Sequence, residues 1–367
     1  MVAFASYEMP VQYPMGVLKE HLHTRESAGL FDVSHMGQAY LRTLEAPLGS
    51  PEAHASIAAA IERLVPGEIR KLKQGGVRYT VLLSDDGGVL DDLMIARLYM
   101  DQFQGMLSLV VNAATKEQDF AHIEQKLDGV AALEVLSNRA LIALQGPKAA
   151  AVVNRLFPGA AEQPFMSVRP HYWPASDDGA FTVVSRLGYT GEDGFEISVL
   201  DTHAMLLAKA LLAAPEVEPV GLGARDSLRL EAGLCLYGHD LTPEISPVEG
   251  NIAFAVGKRR SAEGGFPGAA RIQQELADGP KRLRVGIRPE GRAPAREGAE
   301  IQSTDGKTIG AVTSGGFGPT VNGPIAMGYV DAAFAATGTP VSLMVRGKSL
   351  PAVVADMPFV PHNYYRG

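Results

Sequence analysis

The chain has 367 residues, 46% of them hydrophobic, and a formal net charge of −8. This composition predicts a globular chain of two or three domains, with no membrane span and no broad nucleic-acid-binding surface. The single cysteine, Cys235, excludes an internal disulfide framework or a multi-cysteine metal site, and no targeting leader is recognisable, so we expect a cytoplasmic protein without a metal.

The first part of the chain alternates helical and extended patterns. We expect His21 and His23 to be solvated, because histidines two apart on a helix face different ways and make an improbable metal pair. A hairpin should form around the turn residues Ser84–Gly88. In chain order the predicted elements are a helix over 17–28, a strand over 30–36, a helix over 53–64, and strands over 78–83 and 89–98.

Two adjacent carboxylates, Asp91 and Asp92, interrupt the second strand of this hairpin, which is otherwise apolar on both faces. Neighbouring strand residues point to opposite faces, so we expect the two side chains to be unable to share one site. A buried carboxylate needs a partner. One Asp therefore either meets a structural partner or faces a ligand cavity, and the strand alone leaves both alternatives open.

The middle of the chain continues with mixed strands and helices, so the order favours an α+β class over a doubly wound sheet. Similar groupings over 30–127 and 141–233 indicate two related subdomains. The predicted elements are strands over 106–112 and 141–147, helices over 115–127 and 148–157, a hairpin over 181–199, a helix over 202–213 and a strand over 217–220.

Glu196 follows a glycine-rich turn in the second strand of the 181–199 hairpin. Strand alternation places Phe195 and Ile197 on one face and Glu196 on the other, away from the core. A solvated strand face and a binding surface both fit this pattern.

The stretch Gly221–Glu231 is a glycine-rich turn that leads into a helix. It is a poor dinucleotide site, because Asp226 at the helix start would repel a pyrophosphate. Arg225 and Arg229 are four residues apart and share one helix face, where an anionic partner would relieve their repulsion. That partner is either a structural carboxylate or the carboxylate of a ligand.

The last third of the chain has a different composition. Residues 258–280 are rich in glycine and charge, and we expect a linker with a helix there. Short β segments separated by Gly and Pro turns then predict an all-β barrel or sandwich. The expected division is a two-subdomain region over 1–257, the linker over 258–280 and a β domain over 281–367.

Taken together, these stretches resemble the glycine cleavage T-protein family of aminomethyltransferases. The resemblance covers nearly the whole chain in order, although each motif alone is weakly specific. The matching segments are Met9–Tyr13, Leu30–Met36, Gly87–Leu93, Gly188–Gly194, Gly221–Glu231 and Pro358–Tyr365. Members of the family usually carry a further segment ahead of the first motif, which only Met1–Glu8 precede here, so we expect differences in N-terminal packing and partner contact.

The resemblance implies two ferredoxin-like subdomains and a β-barrel, arranged as a three-lobed ring around a folate channel. It also implies transfer of a one-carbon unit from the aminomethyl-dihydrolipoyl arm of an H-protein to tetrahydrofolate, with release of ammonia. By position in the motifs, Asp91 matches the catalytic carboxylate. The positions that match folate-binding or pterin-pocket residues are Glu196, Arg225, Tyr364, Met36, Tyr79, Asn112 and Tyr189.

Two other readings remain open at this stage. One is another folate-dependent demethylase of the same superfamily. The other is a non-catalytic folate-binding protein that assists iron–sulfur maintenance, although the stretch Ala232–Gly238 lacks the Lys-Gly-Cys-Tyr-type motif of that group.

Overall fold

The computed structural model describes residues 1–176 and 181–367. Its helices and strands follow the order expected of an α+β chain with a terminal β domain. The helices in the described residues are α1 (Val17–Glu26), α2 (Ala53–Ile61), α3 (Lys116–Lys126), α4 (Ala149–Leu156), α5 (Asp201–Leu212), α6 (Leu222–Glu231), α7 (Lys258–Glu263) and α8 (Ala269–Asp278). None of these helices has the length and apolarity needed to cross a membrane.

The strands of the described residues form an N-terminal hairpin, two larger sheets and a barrel. They are β1 (Val2–Phe4), β2 (Tyr7–Met9), β3 (Ala28–Asp32), β4 (Gly37–Thr43), β5 (Val77–Leu83), β6 (Val89–Ala96), β7 (Met106–Val111), β8 (Ala131–Val135), β9 (Arg139–Gln145), β10 (Ser167–Tyr172), β11 (Phe181–Arg186), β12 (Gly194–Leu200), β13 (Val217–Pro219), β14 (Arg282–Pro289), β15 (Glu300–Gln302), β16 (Thr308–Gly318), β17 (Gly323–Asp331), β18 (Pro340–Val345) and β19 (Lys348–Ala355).

The first sheet has five antiparallel strands in the order β5-β6-β7-β4-β8. Without the edge strand β5, the order β8-β4-β7-β6 is that of a ferredoxin-like unit. Helices α2 and α3 cover one face, where Ile57, Phe120 and Ile123 pack against Leu93 and Ile95. The other face is left for the second sheet.

The predicted hairpin of β5 and β6 is present, and its turn is anchored to a distant segment. Gly87 has a φ of 78°, which favours glycine. At Gly88 a Cβ atom would lie 1.6 Å from the carbonyl oxygen of Pro243, so only glycine fits there. Val89 then donates a backbone hydrogen bond to Ile245. These contacts fix the strand that carries Asp91 and Asp92.

The second sheet has six strands in the order β10-β11-β12-β9-β3-β13. It repeats the ferredoxin-like pattern, with α4 and α5 packed on Leu144, Phe195 and Ile197. One expectation about the subdomains is wrong. Strand β3, which begins at Ala28, does not belong to the first unit, because it is inserted between β9 and β13 of the second sheet.

The C-terminal strands form a closed barrel in the order β14-β17-β16-β15-β18-β19. Strand β14 pairs with both β17 and β19, which closes the ring. Its interior is apolar and includes Ile287, Val330 and Leu343. Residues that point inward alternate with outward-facing ones along each strand of a barrel, so these apolar side chains fill its interior. Helices α7 and α8 occupy the predicted linker region.

A buried ionic cluster centred on Glu231, the last residue of α6, joins three parts of the chain. Its carboxylate accepts hydrogen bonds from His21 Nε2 at 3.0 Å, Arg25 Nη2 at 3.0 Å and the backbone N–H of Thr320 at 2.7 Å. His21 and Glu231 are 0% exposed, so the expectation of a solvated His21 is wrong. Its second ring nitrogen is held by Ser227. Helix α1, helix α6 and the barrel therefore meet at one carboxylate.

Replacing Glu231 with Gln should lower the free energy of unfolding by about 3–5 kcal/mol, the usual cost of breaking a buried ion pair. Burial acts to raise the pKa of Glu231, but the His21 hydrogen bond and the charge of Arg25 outweigh it and hold the pKa at about 2. The stabilisation is therefore full above the unfolded-state pKa and declines as pH falls toward 2.

Urea unfolding at pH 7 and at progressively lower pH measures this effect. The gap between Glu231→Gln and the wild type should narrow on acidification. Glu26→Gln, at an exposed position of α1, is the matched control and should unfold like the wild type. Equal unfolding midpoints for Glu231→Gln and the wild type at pH 7 would show that the cluster is not a stabilising junction.

Candidate active site

A small cavity lies between the two sheets, on the faces opposite their helices. From the first sheet it is lined by Val77, Met94, Ala96 and Val110, and from the second by Leu141, Val183, Glu196 and Ser198, among others. The pairs Val77–Ala96 and Met94–Val110 lie opposite each other in register, so their side chains share this face. Most of the cavity wall is thus supplied by the two sheets, and Leu136 and Leu187 add to it from the ends of strands.

Glu196 brings a carboxylate into this cavity. The predicted alternation is present, since Phe195 and Ile197 are in the core with α4 and α5 while Glu196 lines the cavity. Burial raises the pKa of Glu196, and the nearby charge of Arg225 acts in the opposite direction. The carboxylate makes no hydrogen bond within the described residues, so its acceptor capacity is available.

Arg225 is positioned by the first turn of α6. Its guanidinium lies over the ring of Tyr189, 4.8 Å from the ring centroid. Burial lowers the pKa of Arg225, while Tyr189 and Glu196 counteract that effect. Among the described residues it has no ion-pair partner at hydrogen-bonding distance, whereas Arg229 is bound by Asp226 and Asp240. Of the two arginines predicted to share a helix face, only Arg225 keeps its donors for a ligand.

Asp92 lies on the cavity face of β6. It shares that face with Met94 and Ala96, both of which line the cavity. Asp92 also hydrogen-bonds with the side chains of Tyr79 and Asn112. Burial and then the charge of Asp91 raise the pKa of Asp92 to about 7. A partly buried carboxylate that titrates near neutrality is a functional-site candidate.

Asp91 points the other way. Leu82, its register partner, packs with α2 and α3, and Asp91 itself is 0% exposed and contacts Asp119 of α3. The structure therefore does not place Asp91 on the cavity face. Its role in catalysis stays a prediction, and the geometry favours Asp92 for direct contact with a ligand.

The two carboxylates lie on opposite faces of β6, as strand alternation predicts, but both contact the same residue, Asn112. The side-chain nitrogen of Asn112 lies 2.8 Å from Asp91 Oδ1 and 2.7 Å from Asp92 Oδ1. Asn112 follows the end of β7, where its amide reaches both faces of β6. Strand alternation separates the two side chains, but it does not prevent a residue beyond the neighbouring strand from bridging them.

The remaining predicted residues lie at different distances from this centre. Tyr79 and Tyr189 are near Asp92, and the hydroxyl of Tyr189 donates to the carbonyl of Cys235. Met36 packs with Leu141 and Val110 of the cavity wall.

Tyr364 stacks on Phe165, with centroids 3.9 Å apart and an interplanar angle of 4°. Burial raises the pKa of Tyr364 to about 12. Phe165 in turn packs beside Val77 and Ala96. Tyr364 is therefore connected to the cavity wall through Phe165.

Sequence reasoning missed Asp119 and the orientation of Asp92. Asp119 lies four residues before the buried Ile123 on α3, and this spacing is the signal that could have placed it on the buried helix face. The face of Asp92 could not be read from the strand, because the strand is apolar on both faces and its own pattern does not show which face is turned to the cavity. Within the described residues no cluster of His, Cys, Asp or Glu has the arrangement of a metal site.

Comparison with known proteins gives the chain its family. The family models described as "GCVT N-terminal domain" and "Glycine cleavage T-protein C-terminal barrel domain" match residues 1–260 and 282–361. The mitochondrial aminomethyltransferase of Pisum sativum is 42% identical, over 100% of this chain and 87% of its own length. That of Dictyostelium discoideum is 41% identical, over 99% of this chain and 90% of its own length.

A solved structure agrees with this result. The glycine cleavage system aminomethyltransferase T from Bartonella henselae has a TM-score of 0.89 and 43% identity, covering 99% of this chain and 95% of that one. The fold and the site thus define an enzyme of the transferase class. The chain belongs to the glycine cleavage T-protein family, which is folate-dependent and whose curated members here are aminomethyltransferases.

The comparisons also correct one expectation. The lack of a recognisable leader and the single cysteine led us to expect a cytoplasmic protein. The curated relatives, which include those of Pisum sativum and Flaveria trinervia, are named as mitochondrial enzymes, and this contradicts the cytoplasmic assignment. A low cysteine count fits any reducing compartment and therefore does not identify one.

The carboxyl groups around Asn112 should make stability depend on pH. Burial, reinforced by Asp119, raises the pKa of Asp91 to about 8. Between its unfolded-state pKa and this value the folded state holds a proton that the unfolded state releases, so the free energy of unfolding falls as pH rises. Between pH 5 and pH 8 the free energy of unfolding of Asp91→Asn should fall by at least about 1 kcal/mol less than that of the wild type. The scale follows because one pKa unit corresponds to about 1.4 kcal/mol.

Urea unfolding at pH 5 and pH 8 measures that difference. Asp85→Asn, in the exposed hairpin turn, should keep the pH dependence of the wild type. If Asp91→Asn loses as much stability as the wild type between the two pH values, Asp91 does not hold a proton in the folded protein.

Proposed function

We propose that this enzyme takes the one-carbon unit from the aminomethyl-dihydrolipoyl arm of an H-protein and transfers it to tetrahydrofolate. The carbon–sulfur and carbon–amine bonds break, and the carbon becomes bonded to two folate nitrogens. The products are ammonia, the free thiol of the arm and 5,10-methylenetetrahydrofolate. One observation carries the proposal: the side chains of Glu196 and Asp92 lie on the facing sides of the two sheets, with Arg225 near Glu196.

The polar and aromatic groups in and beside the cavity fit a reduced folate. A pterin ring presents N–H donors along one edge, and the unpaired Glu196 carboxylate can accept from them. Arg225 offers a planar fork of donors to a carbonyl or an anionic group. Aromatic rings, such as those of Tyr189 and Tyr79, provide flat surfaces for a ring system. The charges of Glu196 and Arg225 are partly buried and form no hydrogen-bonded ion pair, which is unfavourable without a ligand. This supports the binding of folate at this position.

Asp92 is suited to the chemical step. Tetrahydrofolate supplies the nucleophilic nitrogens that accept the carbon. During transfer positive charge develops at the carbon, and a fixed carboxylate in a site that excludes water stabilises such charge. Tyr79 and Asn112 hold the Asp92 carboxylate, which limits the reorganisation needed as charge develops. A pKa near neutrality also lets Asp92 accept or return a proton at ordinary pH.

Replacing Asp92 with Asn should lower kcat by about a hundredfold or more, the scale of losing one electrostatic contact in a transition state. The variant should keep its melting temperature and its affinity for tetrahydrofolate, because shape and hydrogen bonding are nearly preserved. The measurement is steady-state transfer from aminomethylated H-protein, with a melting curve and a folate titration for each variant.

Asp91→Asn is the matched comparison, since it makes the same change on the opposite face of the same strand. We expect it to lose clearly less activity than Asp92→Asn. Asp85→Asn controls for charge on the hairpin. A larger loss in Asp91→Asn than in Asp92→Asn would restore Asp91 as the catalytic carboxylate, and wild-type rates in both would remove the pair from catalysis.

Glu196→Gln should weaken tetrahydrofolate binding by about tenfold to about a hundredfold, because a hydrogen bond to a charged group contributes about 1.5–3 kcal/mol. Calorimetric titration of tetrahydrofolate into the wild type and the variant measures the effect. Glu124→Gln, at an exposed position of α3, should bind like the wild type. Equal affinity of Glu196→Gln and the wild type would exclude Glu196 from the site.

A further inference from the structure

We propose that Asp91 and Asp119 share one proton and act together as positioning residues for Asp92 through the amide of Asn112. This inference deepens the proposed function, because it rests on Asp92 as the carboxylate in contact with the reacting groups. It assigns a role to two buried acids that the proposed chemistry does not use.

The amide of Asn112 is the link between the two faces of β6. Its backbone N–H donates to Asp91 Oδ2 at 3.0 Å, and its side-chain nitrogen donates to Asp91 Oδ1 at 2.8 Å. The same nitrogen donates to Asp92 Oδ1 at 2.7 Å. Asp91 thus holds both the backbone and the side chain of Asn112. With this orientation the amide presents a donor to Asp92, whereas a rotated amide would present its oxygen and repel the carboxylate.

Asp91 in turn contacts the carboxyl group of Asp119 on α3. Two carboxyl groups can form a hydrogen bond only if one of them carries a proton, because an ionised carboxylate has no donor. The two residues are 0% and 3% exposed, so water cannot replace the contact. Asp119 Oδ2 is buried and meets no hydrogen-bond donor in the described chain unless such a proton is present. The shared proton satisfies both groups.

The surroundings favour retention of that proton. The ionisable groups that face the pair are Asp92 on the same strand and Tyr237 from the segment after α6. Tyr79 from β5, with Tyr189 and Cys235, faces Asp92 on the other side of the sheet. Burial raises the pKa of each tyrosine and of Cys235, so these groups are neutral at ordinary pH and supply no positive charge. A second full negative charge next to Asp92 is therefore opposed by the Asp92 carboxylate and by burial.

The roles can be separated with two replacements of Asp119. In Asp119→Asn the amide donates permanently to Asp91, so the hydrogen bond and the single negative charge remain while the shared proton is lost. In Asp119→Leu neither a donor nor an acceptor remains, and an apolar side chain faces the helix layer. Asp128→Asn, at an exposed position just after α3, is the control. Each full-length variant is tested by infrared spectroscopy between pH 7 and pH 9 and by transfer kinetics.

We expect the wild type to show the carbonyl-stretch band of a protonated carboxyl that disappears with a midpoint near pH 8, the pKa of Asp91, and Asp119→Asn to lack this titration. Asp119→Leu should lose about tenfold in kcat, the loss that corresponds to one hydrogen bond of about 1.4 kcal/mol, with little change in the KM for tetrahydrofolate. Asp119→Asn should restore kcat to within about twofold of the wild type, because one hydrogen bond replaces another. If Asp119 had a purely structural role, Asp119→Leu would have a lower melting temperature, but kcat would not fall in Asp119→Leu and return in Asp119→Asn.

The proposal is overturned if the wild type lacks the band, or if Asp119→Leu keeps the wild-type kcat. It is also overturned if Asp119→Asn is as slow as Asp119→Leu, since the hydrogen bond to Asp91 would then not be the feature that matters. These results are independent of Asp92→Asn. If Asp92→Asn is fully active, Asp92 does not have the proposed function, even where the infrared band is present. If Asp92→Asn is inactive but Asp119→Leu is fully active, only the positioning role of Asp91 and Asp119 is excluded.

Discussion

A single buried carboxylate, Glu231, holds the three parts of this enzyme together. It receives hydrogen bonds from His21 and Arg25 of α1 and from the backbone of the barrel, and Arg25 also pairs with Glu192. Burying charge is unfavourable unless partners compensate it, and here the partners come from two elements that are distant from α6 in the sequence. Helix α6 carries both this junction and Arg225. The position of Arg225 beside Glu196 therefore depends on a helix whose last residue is held by α1 and by the barrel.

The position of the candidate active site follows from the different packing of the two faces of each sheet. Helices cover one face with apolar contacts, and the opposite faces form the cavity. Along β12 this division separates Phe195 from Glu196, and along β6 it separates Asp91 from Asp92. A polar residue in either strand is costly unless it reaches the cavity or a buried partner. Each of these acids meets one of those conditions.

The sequence predicted the features that depend on local pattern. The β5–β6 hairpin, the alternation around Glu196 and the C-terminal β domain all follow from periodicity and turn residues. Features that depend on distant residues could not be predicted. His21 is buried against Glu231, and because this partner lies 210 residues away, the contact could not be recognised from the local pattern. Which face of β6 is turned to the cavity depends on the packing of the second sheet, and the bridge through Asn112 depends on where β7 ends. The family resemblance supplied the activity, which no single motif carried.

The inserted strand β3 has a consequence for how the molecule is made. It lies between β9 and β13, which follow it by more than a hundred residues. During synthesis the segment around Leu30 and Phe31 emerges long before β9 and β13, so its apolar side chains stay without their native contacts until those strands have been made. The second sheet cannot close until the chain has passed residue 219. The two α+β units are therefore not independent folding steps, because β3 precedes the whole first sheet in the chain but belongs to the second sheet, which is completed later.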